Sequence, residues 1–284
     1  MKILITGVNG QVGHALMREM TDHELIGLTR QDCDLTNLDQ IKKAIDYHQP
    51  ELIINPAAYT KVDQAEDEPE LAFQINRDAP KVMAEKAREY HIPFIHFSTD
   101  YVFDGEKEGA YEEHDLTSPL GVYGQSKCSG EEAIQEVGGL TYIFRTSWVY
   151  SNIGHNFFLT MKKISQEREE LKVVADQIGV PTSNQFIAEQ IKAIIPQLSE
   201  KNTGIYHLVP DESCSWYEFA KEIIGQINPQ FDLDNLHAIT IDEFPTKTKR
   251  PANSVLSNVK IKQTFDLNFS GWQSCLSLVA AEEH

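Results

Sequence analysis

The chain has little positive charge relative to its negative charge, and it has no long apolar run. Its 25 lysines and arginines are outnumbered by 43 aspartates and glutamates, which gives a formal net charge of −18 over 284 residues. Nucleic acid and anionic membrane surfaces are therefore poor partners, and we predict binding to neither. A nucleotide ligand would have to be held by local backbone donors and a few well-placed cations.

Cysteine is also scarce, and no targeting signal is evident. The four cysteines are Cys33, Cys128, Cys214 and Cys275. Their scatter, without a C-x-x-C pair, indicates neither a zinc site nor a disulfide framework, and we predict a reducing, cytoplasmic location. The histidines show no metal-ligand spacing, so the residues predict no metal site, and we interpret His91 and His96 as structural.

Short apolar runs alternate with amphipathic stretches through the first half. The predicted strands span residues 2–6, 24–28, 51–55, 93–97 and 140–144, and the predicted helices span residues 10–20, 38–48, 78–90 and 123–137. The apolar runs are continuous, which is typical of parallel strands covered on both faces. Short connections between strand and helix favour right-handed βαβ units. We therefore predict an α/β fold with a doubly wound, Rossmann-like parallel sheet.

The regularity loosens after about Tyr150. We predict a nucleotide-binding domain over residues 1–150 and a smaller, mainly substrate-binding α/β domain over residues 151–284. Elements from about residues 171–200 are expected to return to the first domain. Ser215 with Glu218 predicts a capping box at the start of a later helix.

A glycine-rich turn follows the first predicted strand. Gly7, Gly10 and Gly13 have the spacing G-x-x-G-x-x-G. Glycine permits a tight turn and lets backbone N–H groups approach a pyrophosphate, while the following helix adds partial positive charge. A turn without a ligand is the alternative, but the position directly after a buried strand favours a dinucleotide site.

Two further strand ends complete the predicted cofactor site. Arg30 follows the second strand, where it could pair with a 2′-phosphate, so NADPH is favoured and NADH is the alternative; a solvated Arg30 is the other interpretation. Asp34 and Leu35 come next and could flank the adenine. The third strand runs into Ala57 and Ala58, whose small side chains would let a cofactor pack against the backbone.

The proton donor is predicted from a tyrosine and a lysine four residues apart. Tyr123 and Lys127 would share one helix face. A nearby ammonium would lower the pKa of the phenol, and it could also bind the nicotinamide ribose. The fourth strand ends at Ser98-Thr99, where a hydroxyl could bind a substrate carbonyl. Thr99 fits this role better than Ser98 if it points into the cleft, and a turn at the strand end is the structural alternative.

Two later residues are candidates for contact with a sugar nucleotide. Trp148 ends the fifth strand, where its indole could stack on a sugar or a base, although core packing is the common role of such a residue. Lys249 and Arg250 form a cationic pair in an acidic chain. They could bind a diphosphate, and a solvated pair is the alternative.

Taken together, these residues resemble the extended short-chain dehydrogenase/reductase superfamily and, within it, the family of dTDP-4-dehydrorhamnose reductases. The glycines and the Tyr-Lys pair are shared across the superfamily. The stretches Ser98-Thr-Asp-Tyr-Val-Phe-Asp-Gly105 and Arg145-Thr-Ser-Trp-Val-Tyr150 are more particular to the reductase family. The resemblance also covers residues 55–63, 179–182 and 250–254, and so nearly the whole chain.

The resemblance implies reduction of the C4 ketone of dTDP-4-dehydro-L-rhamnose to dTDP-L-rhamnose, a cell-surface sugar precursor. It implies that the catalytic residues are Tyr123, Lys127 and Thr99. The implied cofactor residues are Gly7, Gly10, Gln11, Val12, Gly13, Arg30, Asp34, Leu35, Ala57, Ala58, Tyr59 and Thr60, together with Tyr123 and Lys127. The predicted substrate residues are Val62, Thr99, Asp100, Tyr101, Trp148 and Arg250.

Some members of the family are magnesium-dependent dimers, so magnesium and a homodimer are implied by resemblance alone. The glutamates of those members are replaced here by Ala15 and Gln185, which argues against a metal-bridged dimer.

Two other functions remain open at this point. A nucleotide-sugar epimerase or 4,6-dehydratase uses the same scaffold, but the dehydratase pattern has two acidic residues after the strand-end threonine, and Thr99 is followed by Asp100-Tyr101. A nucleotide-binding regulatory subunit without catalysis is the second alternative.

Overall fold

The computed structural model describes residues 1–282. The strands are β1 (Lys2–Thr6), β2 (Glu24–Leu28), β3 (Leu52–Asn55), β4 (Phe94–Thr99), β5 (Thr141–Thr146), β6 (Val149–Tyr150), β7 (Leu171–Val174), β8 (Ile178–Gly179), β9 (Thr182–Ser183), β10 (Gly204–His207), β11 (Cys214–Ser215) and β12 (Leu236–Ile239). The helices are α1 (Gln11–Glu19), α2 (Leu38–His48), α3 (Val62–Ala65), α4 (Pro69–Phe73), α5 (Ala79–Glu89), α6 (Val122–Val137), α7 (Phe157–Glu167), α8 (Asn184–Ile194), α9 (Trp216–Ile227), α10 (Val259–Phe265) and α11 (Trp272–Ala281).

A six-stranded sheet forms the centre of the molecule. Its strand order is β2-β1-β3-β4-β5-β10, and every neighbouring pair is parallel. The prediction of a doubly wound parallel sheet is confirmed. The chain order reverses between β1 and β3, and ligands of such sheets bind at this reversal, beyond the carboxyl ends of the strands.

Helices cover both faces of the sheet because successive strand residues point to opposite sides. Ile3 and Ile5 of β1 pack in the same apolar cluster as Leu16 of α1 and Ile187 of α8. Leu4, between them, belongs to a second cluster on the other face, with side chains of α2, α5 and α6. Both clusters are buried, as the continuous apolar runs predict.

A smaller α/β unit follows, in which β7 pairs with β12 and α7, α9 and α11 share a third apolar cluster. The capping box of Ser215 and Glu218 is present at the start of α9. Of the elements in residues 171–200, α8 packs on α1, whereas β7 stays outside the six-stranded sheet. The sheet instead gains β10, which sequence analysis does not identify. The domain boundary at residue 150 stays a prediction.

Within residues 1–282, no helix is both long enough and apolar enough to cross a membrane.

A buried ion pair joins α6 to the sheet. Arg145 of β5 donates from Nε and Nη2 to the two carboxylate oxygens of Glu131, at 2.9 and 2.6 Å. Both residues are 2 % exposed. Removing one partner would leave the other charge buried without compensation, which is far more costly than the pair itself is stabilising.

Glu131→Gln is therefore expected to lower the free energy of unfolding by about 3 kcal/mol. Denaturant unfolding would measure this change. Glu167→Gln is the matched control, because Glu167 pairs with Lys163 at 3.9 Å on the exposed surface. That control should change stability by less than about 0.5 kcal/mol. Equal effects of the two substitutions would contradict the prediction.

Candidate active site

Two adjoining clefts lie beyond the carboxyl ends of β1, β3 and β4. Their volumes are ≈ 910 and ≈ 470 Å³, and both are lined by Gly7, Ala57, Ala58, Thr60 and Lys61. Every residue that sequence analysis assigns to the cofactor lines one of them. The larger cleft continues to Tyr123 and Lys127, and the smaller one ends at Arg30, Asp34 and Leu35. The shape therefore suits an extended, two-ended ligand.

The glycine turn fits a dinucleotide. Gly7 has φ of +60°, and a Cβ there would lie 2.8 Å from the Cβ of Ala57. A Cβ on Gly13 would lie 2.4 Å from the Gly7 carbonyl oxygen. Gly10 caps α1 without a side-chain hydrogen bond, so the first-turn N–H groups can bind an anion. Gly7 is therefore required by its positive φ and by its contact with Ala57, and Gly13 is required by its close approach to Gly7.

The smaller cleft carries polar side chains suited to an adenosine. Arg30 is exposed at its rim. The pKa of Asp34 is lowered mainly by a hydrogen bond from the backbone N–H of Thr36 and to a smaller extent by the charge of Arg30. This carboxylate is therefore ionised at neutral pH. The hydroxyl of Tyr59 donates to Glu68 at 2.7 Å, and its backbone N–H donates to Asn76.

Tyr123 and Lys127 lie at the start of α6 and share the floor of the larger cleft. The predicted lowering of the tyrosine pKa is wrong for this structure. Burial raises the pKa of Tyr123 to about 12, Thr99 partly opposes this through a hydrogen bond, and Asp100 adds to it. The ammonium of Lys127 is directed elsewhere, since Nζ lies 2.6 Å from the carbonyl oxygen of Phe97 and 3.2 Å from Nε2 of His96.

The two hydroxyls that end β4 are in different settings, and the larger cleft is lined by Ser98 and not by Thr99. Ser98 lines the larger cleft, and its Oγ is buried without a hydrogen-bond partner among the described residues. Thr99 donates to Asp100 Oδ1 at 2.9 Å, accepts from the N–H of Tyr101 and contacts Tyr123. The strand-end turn that sequence analysis offers as an alternative is thus present together with the contact to Tyr123.

Asp100 and Tyr101 form a buried corner next to Tyr123. Asp100 is 2 % exposed, and burial raises its pKa to about 6 although hydrogen bonds from Ser254 and Thr99 oppose the shift. The ring centroid of Tyr101 lies 5.5 Å from that of Tyr123, edge to face. Neither Asp100 nor Tyr101 lines the two clefts, so their contact with a substrate stays a prediction.

Trp148 packs against the apolar cluster of the second unit, which is the alternative role that the sequence leaves open for it. Its indole stacks on Trp216 with centroids 3.5 Å apart, and a Cβ on Gly179 would lie 2.4 Å from its Cε2. Its φ of 47° is unusual for a bulky residue. One indole face is therefore covered by Trp216, and the contact of Trp148 with a sugar stays a prediction.

The remaining substrate candidates lie where the second unit meets α3. Val62 is the first residue of α3. Nη2 of Arg250 lies 3.4 Å from Oδ2 of Asp63, and Lys247 pairs with Asp67. Arg250 Nε is buried and has no partner within residues 1–282. Of the candidate diphosphate clamp of Lys249 and Arg250, Arg250 is thus held close to α3 by Asp63.

Several residues of the larger cleft are not predicted from the sequence. They are Asn9, Phe97, Thr146, Val149, Gly154 and His155, whereas Ser98 is considered there and set behind Thr99. The loop that carries Gly154 and His155 is tied to α1, because Ser151 and Asn156 donate to Oε1 of Gln11 at 2.7 and 2.8 Å. These contacts span about 140 residues and leave no local signal in the sequence.

The residues expected at a magnesium site do not fit one. Ala15 is buried, and the amide of Gln185 donates to Glu189 at 3.0 Å. Over the part of the chain that the structure describes, no group of three or more His, Cys, Asp or Glu could hold a metal ion.

Comparison with known proteins agrees with this arrangement. The family model described as RmlD substrate binding domain matches residues 1–284. The dTDP-4-dehydrorhamnose reductase of Aggregatibacter actinomycetemcomitans is 41 % identical, over 99 % of this chain and 98 % of that protein. The Escherichia coli K12 reductase is 38 % identical, over 96 % and 95 %. The crystal structure of the Bacillus anthracis reductase in complex with NADP has a TM-score of 0.93 at 35 % identity, covering 99 % of this chain and 100 % of that one.

Gly13→Ala is expected to weaken NADPH binding about tenfold or more, because the added methyl would collide with the Gly7 carbonyl and displace the turn. Titration of NADPH fluorescence would measure this. Gly225→Ala in α9 is the matched control, since no atom lies within 4 Å of the added Cβ. An unchanged affinity of the Gly13→Ala protein would show that the turn does not contact the dinucleotide.

Proposed function

This chain belongs to the family of dTDP-4-dehydrorhamnose reductases that the RmlD substrate binding domain model describes, and we propose that it reduces the C4 ketone of dTDP-4-dehydro-L-rhamnose to dTDP-L-rhamnose with NADPH. The observation that carries the proposal is the position of Tyr123 and Lys127 in the same cleft as the glycine turn of residues 7–13. A proton donor at the end of a dinucleotide cleft is what carbonyl reduction requires.

The two clefts hold the dinucleotide. The turn at Gly7, Gly10 and Gly13 binds its pyrophosphate through backbone N–H groups, and Gln11 and Val12 line the same wall. Arg30 binds the 2′-phosphate that distinguishes NADPH from NADH, and Asp34 with Leu35 flanks the adenosine. The bound nicotinamide supplies the hydride.

Tyr123 acts as the general acid. A pKa raised to about 12 keeps the phenol protonated at neutral pH, which is the form that must donate to the developing alkoxide. Thr99 orients the phenol, and its hydroxyl turns from Asp100 to donate a hydrogen bond to the ketone oxygen. Lys127 contributes positive charge where the tyrosinate forms, which favours proton release at that moment and not before it.

The sugar nucleotide occupies the side of the cleft formed by the second unit. Asp100 and Tyr101 bind deoxysugar hydroxyls, Val62 and Trp148 provide apolar contacts, and Arg250 pairs with the diphosphate. We propose the cytoplasm as the compartment, in keeping with four free cysteines. A homodimer stays a prediction, and no step of the proposed reaction involves magnesium.

The direct test is oxidation of NADPH, followed by absorbance, with dTDP-4-keto-6-deoxy sugars. The assay is run with and without the C3,C5 epimerase that supplies the L-configured ketone. Oxidation that depends on the epimerised ketone is expected. A 4-keto product formed from a dTDP-hexose without consumption of NADPH would indicate a dehydratase instead. Binding of NADPH without turnover of any ketone would indicate a nucleotide-binding regulatory protein.

Tyr123→Phe is expected to lower kcat by roughly a hundredfold or more, the usual scale for a lost general acid. NADPH affinity should stay within about twofold of the native value, because only one hydroxyl is removed. Tyr90→Phe is the control, since the Tyr90 hydroxyl donates to Asp46 on the surface. Near-native turnover by the Tyr123→Phe protein would exclude this role for Tyr123.

Arg30→Ala is expected to lower kcat/KM for NADPH by about tenfold and to leave the value for NADH nearly unchanged, because only NADPH carries the 2′-phosphate. Steady-state kinetics with both cofactors would measure the ratio. Arg88→Ala is the control, because the Arg88 guanidinium donates to the Val137 carbonyl. An equal loss with NADPH and NADH would show that Arg30 does not select the phosphate.

A further inference from the structure

A line of buried polar side chains crosses the sheet and ends at Lys127. Its members, called the polar chain below, are Thr6, Asn55, His96 and Lys127. Thr6 Oγ1 lies 2.5 Å from Asn55 Oδ1, Asn55 Nδ2 lies 3.1 Å from His96 Nδ1, and His96 Nε2 lies 3.2 Å from Lys127 Nζ. None of the four is more than 3 % exposed.

The fold brings these residues together by strand register. β1, β3 and β4 are neighbours, and Asn55 pairs with His96 in the register between β3 and β4. Alternation along each strand turns Thr6, Asn55 and His96 to the face that α6 covers, since Leu4, Ile53 and Phe94 pack in the cluster on that face. Lys127 of α6 then reaches the end of the line.

The lysine amine makes two contacts inside the protein. It donates to the Phe97 carbonyl at 2.6 Å and contacts His96 Nε2. A charged amine has three N–H groups, so one remains for the cleft that Lys127 lines. The contact with His96 therefore fixes the direction in which Lys127 presents its remaining donor.

A neutral imidazole can serve either form of the amine. A charged Lys127 must donate to Nε2, which places the ring proton on Nδ1. A neutral Lys127 can accept from Nε2–H, and Nδ1 then accepts from Nδ2 of Asn55. With the ring proton on Nδ1, the amide of Asn55 must turn over, so that Oδ1 accepts from Nδ1–H and Nδ2 donates to the Thr6 hydroxyl. The Thr6 hydroxyl can donate or accept, so the polar chain can satisfy both tautomers.

We propose that His96 is a positioning residue for Lys127, and that its ring changes tautomer, but not charge, when the amine gains or loses a proton. The amine thereby keeps its place and its partners while its charge changes. The part of this proposal that concerns catalysis rests on the proposed function, and the change of tautomer does not. The proposal gives the structural His96 a specific partner and does not overturn that interpretation.

The electrostatics of the site agree with the proposal. Burial lowers the pKa of Lys127 to about 8, so both forms of the amine are accessible near neutral pH, and Glu131 partly opposes the shift. Burial first, and Lys127 second, hold the pKa of His96 well below its ordinary value, so the ring stays neutral.

The other charged groups around α6 are mostly paired. Glu131 is bound by Arg145 of β5, and the half-buried Arg77 and Asp78 of the π-helical turn at residues 74–78 bind each other at 2.7 Å. Besides Lys127, the ionisable groups that line the cleft are Tyr123, Lys61 and His155, and Asp100 is buried next to Tyr123. Each of these groups is present in both the native chain and the variants below.

The test is ¹⁵N NMR of the full chain with labelled histidine, titrated from about pH 6 to about pH 10. His96→Gln identifies the His96 signals. We expect one neutral ring whose proton moves from Nδ1 to Nε2 with a midpoint at about pH 8. In Lys127→Met the transition should disappear. A single tautomer throughout, or a transition that persists in Lys127→Met, would overturn the proposal.

A kinetic readout separates positioning from structure. In His96→Phe the ammonium loses an acceptor, so its pKa falls and the alkaline limb of the kcat profile should move about one unit to lower pH. Ile95→Val, on the same strand and the opposite face, should lower the melting temperature without moving that limb. A His96→Phe profile with an unchanged limb would contradict the proposal. The NMR titration does not depend on turnover, so it tests the proposal even if the reductase assay fails.

Discussion

The site depends on the burial of one amine at the carboxyl edge of a parallel sheet. An ammonium removed from water must be satisfied by fixed acceptors, or it gives up its proton. Lys127 is satisfied on the protein side by Phe97 and His96 of one strand, β4. The third N–H of the ammonium faces the cleft that Lys127 lines. The side chain is therefore oriented before any ligand is bound, and no free energy is needed to order it afterwards.

The same burial explains why Tyr123 differs from the sequence-based expectation. A lysine four residues along a helix predicts a lowered phenol pKa, but that prediction assumes that the amine faces the phenol. In the structure the amine faces β4, and burial dominates the pKa of the phenol. A protonated tyrosine is the correct starting state for a general acid. On the proposed function, the acidity needed for transfer arises as negative charge develops in the cleft that Lys127 lines, and it is not stored in the resting protein.

Much of the fold and of the cofactor cleft could be predicted from local sequence. β1 and β2 have the predicted bounds, and the glycine turn after β1 and the alanines after β3 are each recognised from neighbouring residues. The two meet because parallel strands end at the same edge of the sheet. What could not be predicted depends on residues far apart in the chain. Three contacts join segments that are 30 or more residues apart in the sequence. They are the pairing of β10 with β5, the stacking of Trp148 on Trp216 and the contact of His96 with Lys127. The sequence likewise predicts a hydroxyl at the end of β4. That Ser98 lines the cleft while Thr99 bonds Asp100 follows from how β4 ends.

The charges of the site show why so acidic a chain can bind an anionic substrate. Arg145 is bound by two hydrogen bonds to a buried carboxylate, and losing that partner would be costly. Arg250 is different, because its contact with Asp63 is 3.4 Å long and its side chain is 32 % exposed. An exposed pair of this kind contributes between about 0 and 1 kcal/mol. For the proposed substrate, the diphosphate offers Arg250 a stronger, charge-assisted partner than a solvated aspartate. On the proposed function, Arg250 exchanges Asp63 for the substrate diphosphate at little cost. The ion pair of Arg145 and Glu131 meanwhile joins α6, which carries Tyr123 and Lys127, to the sheet.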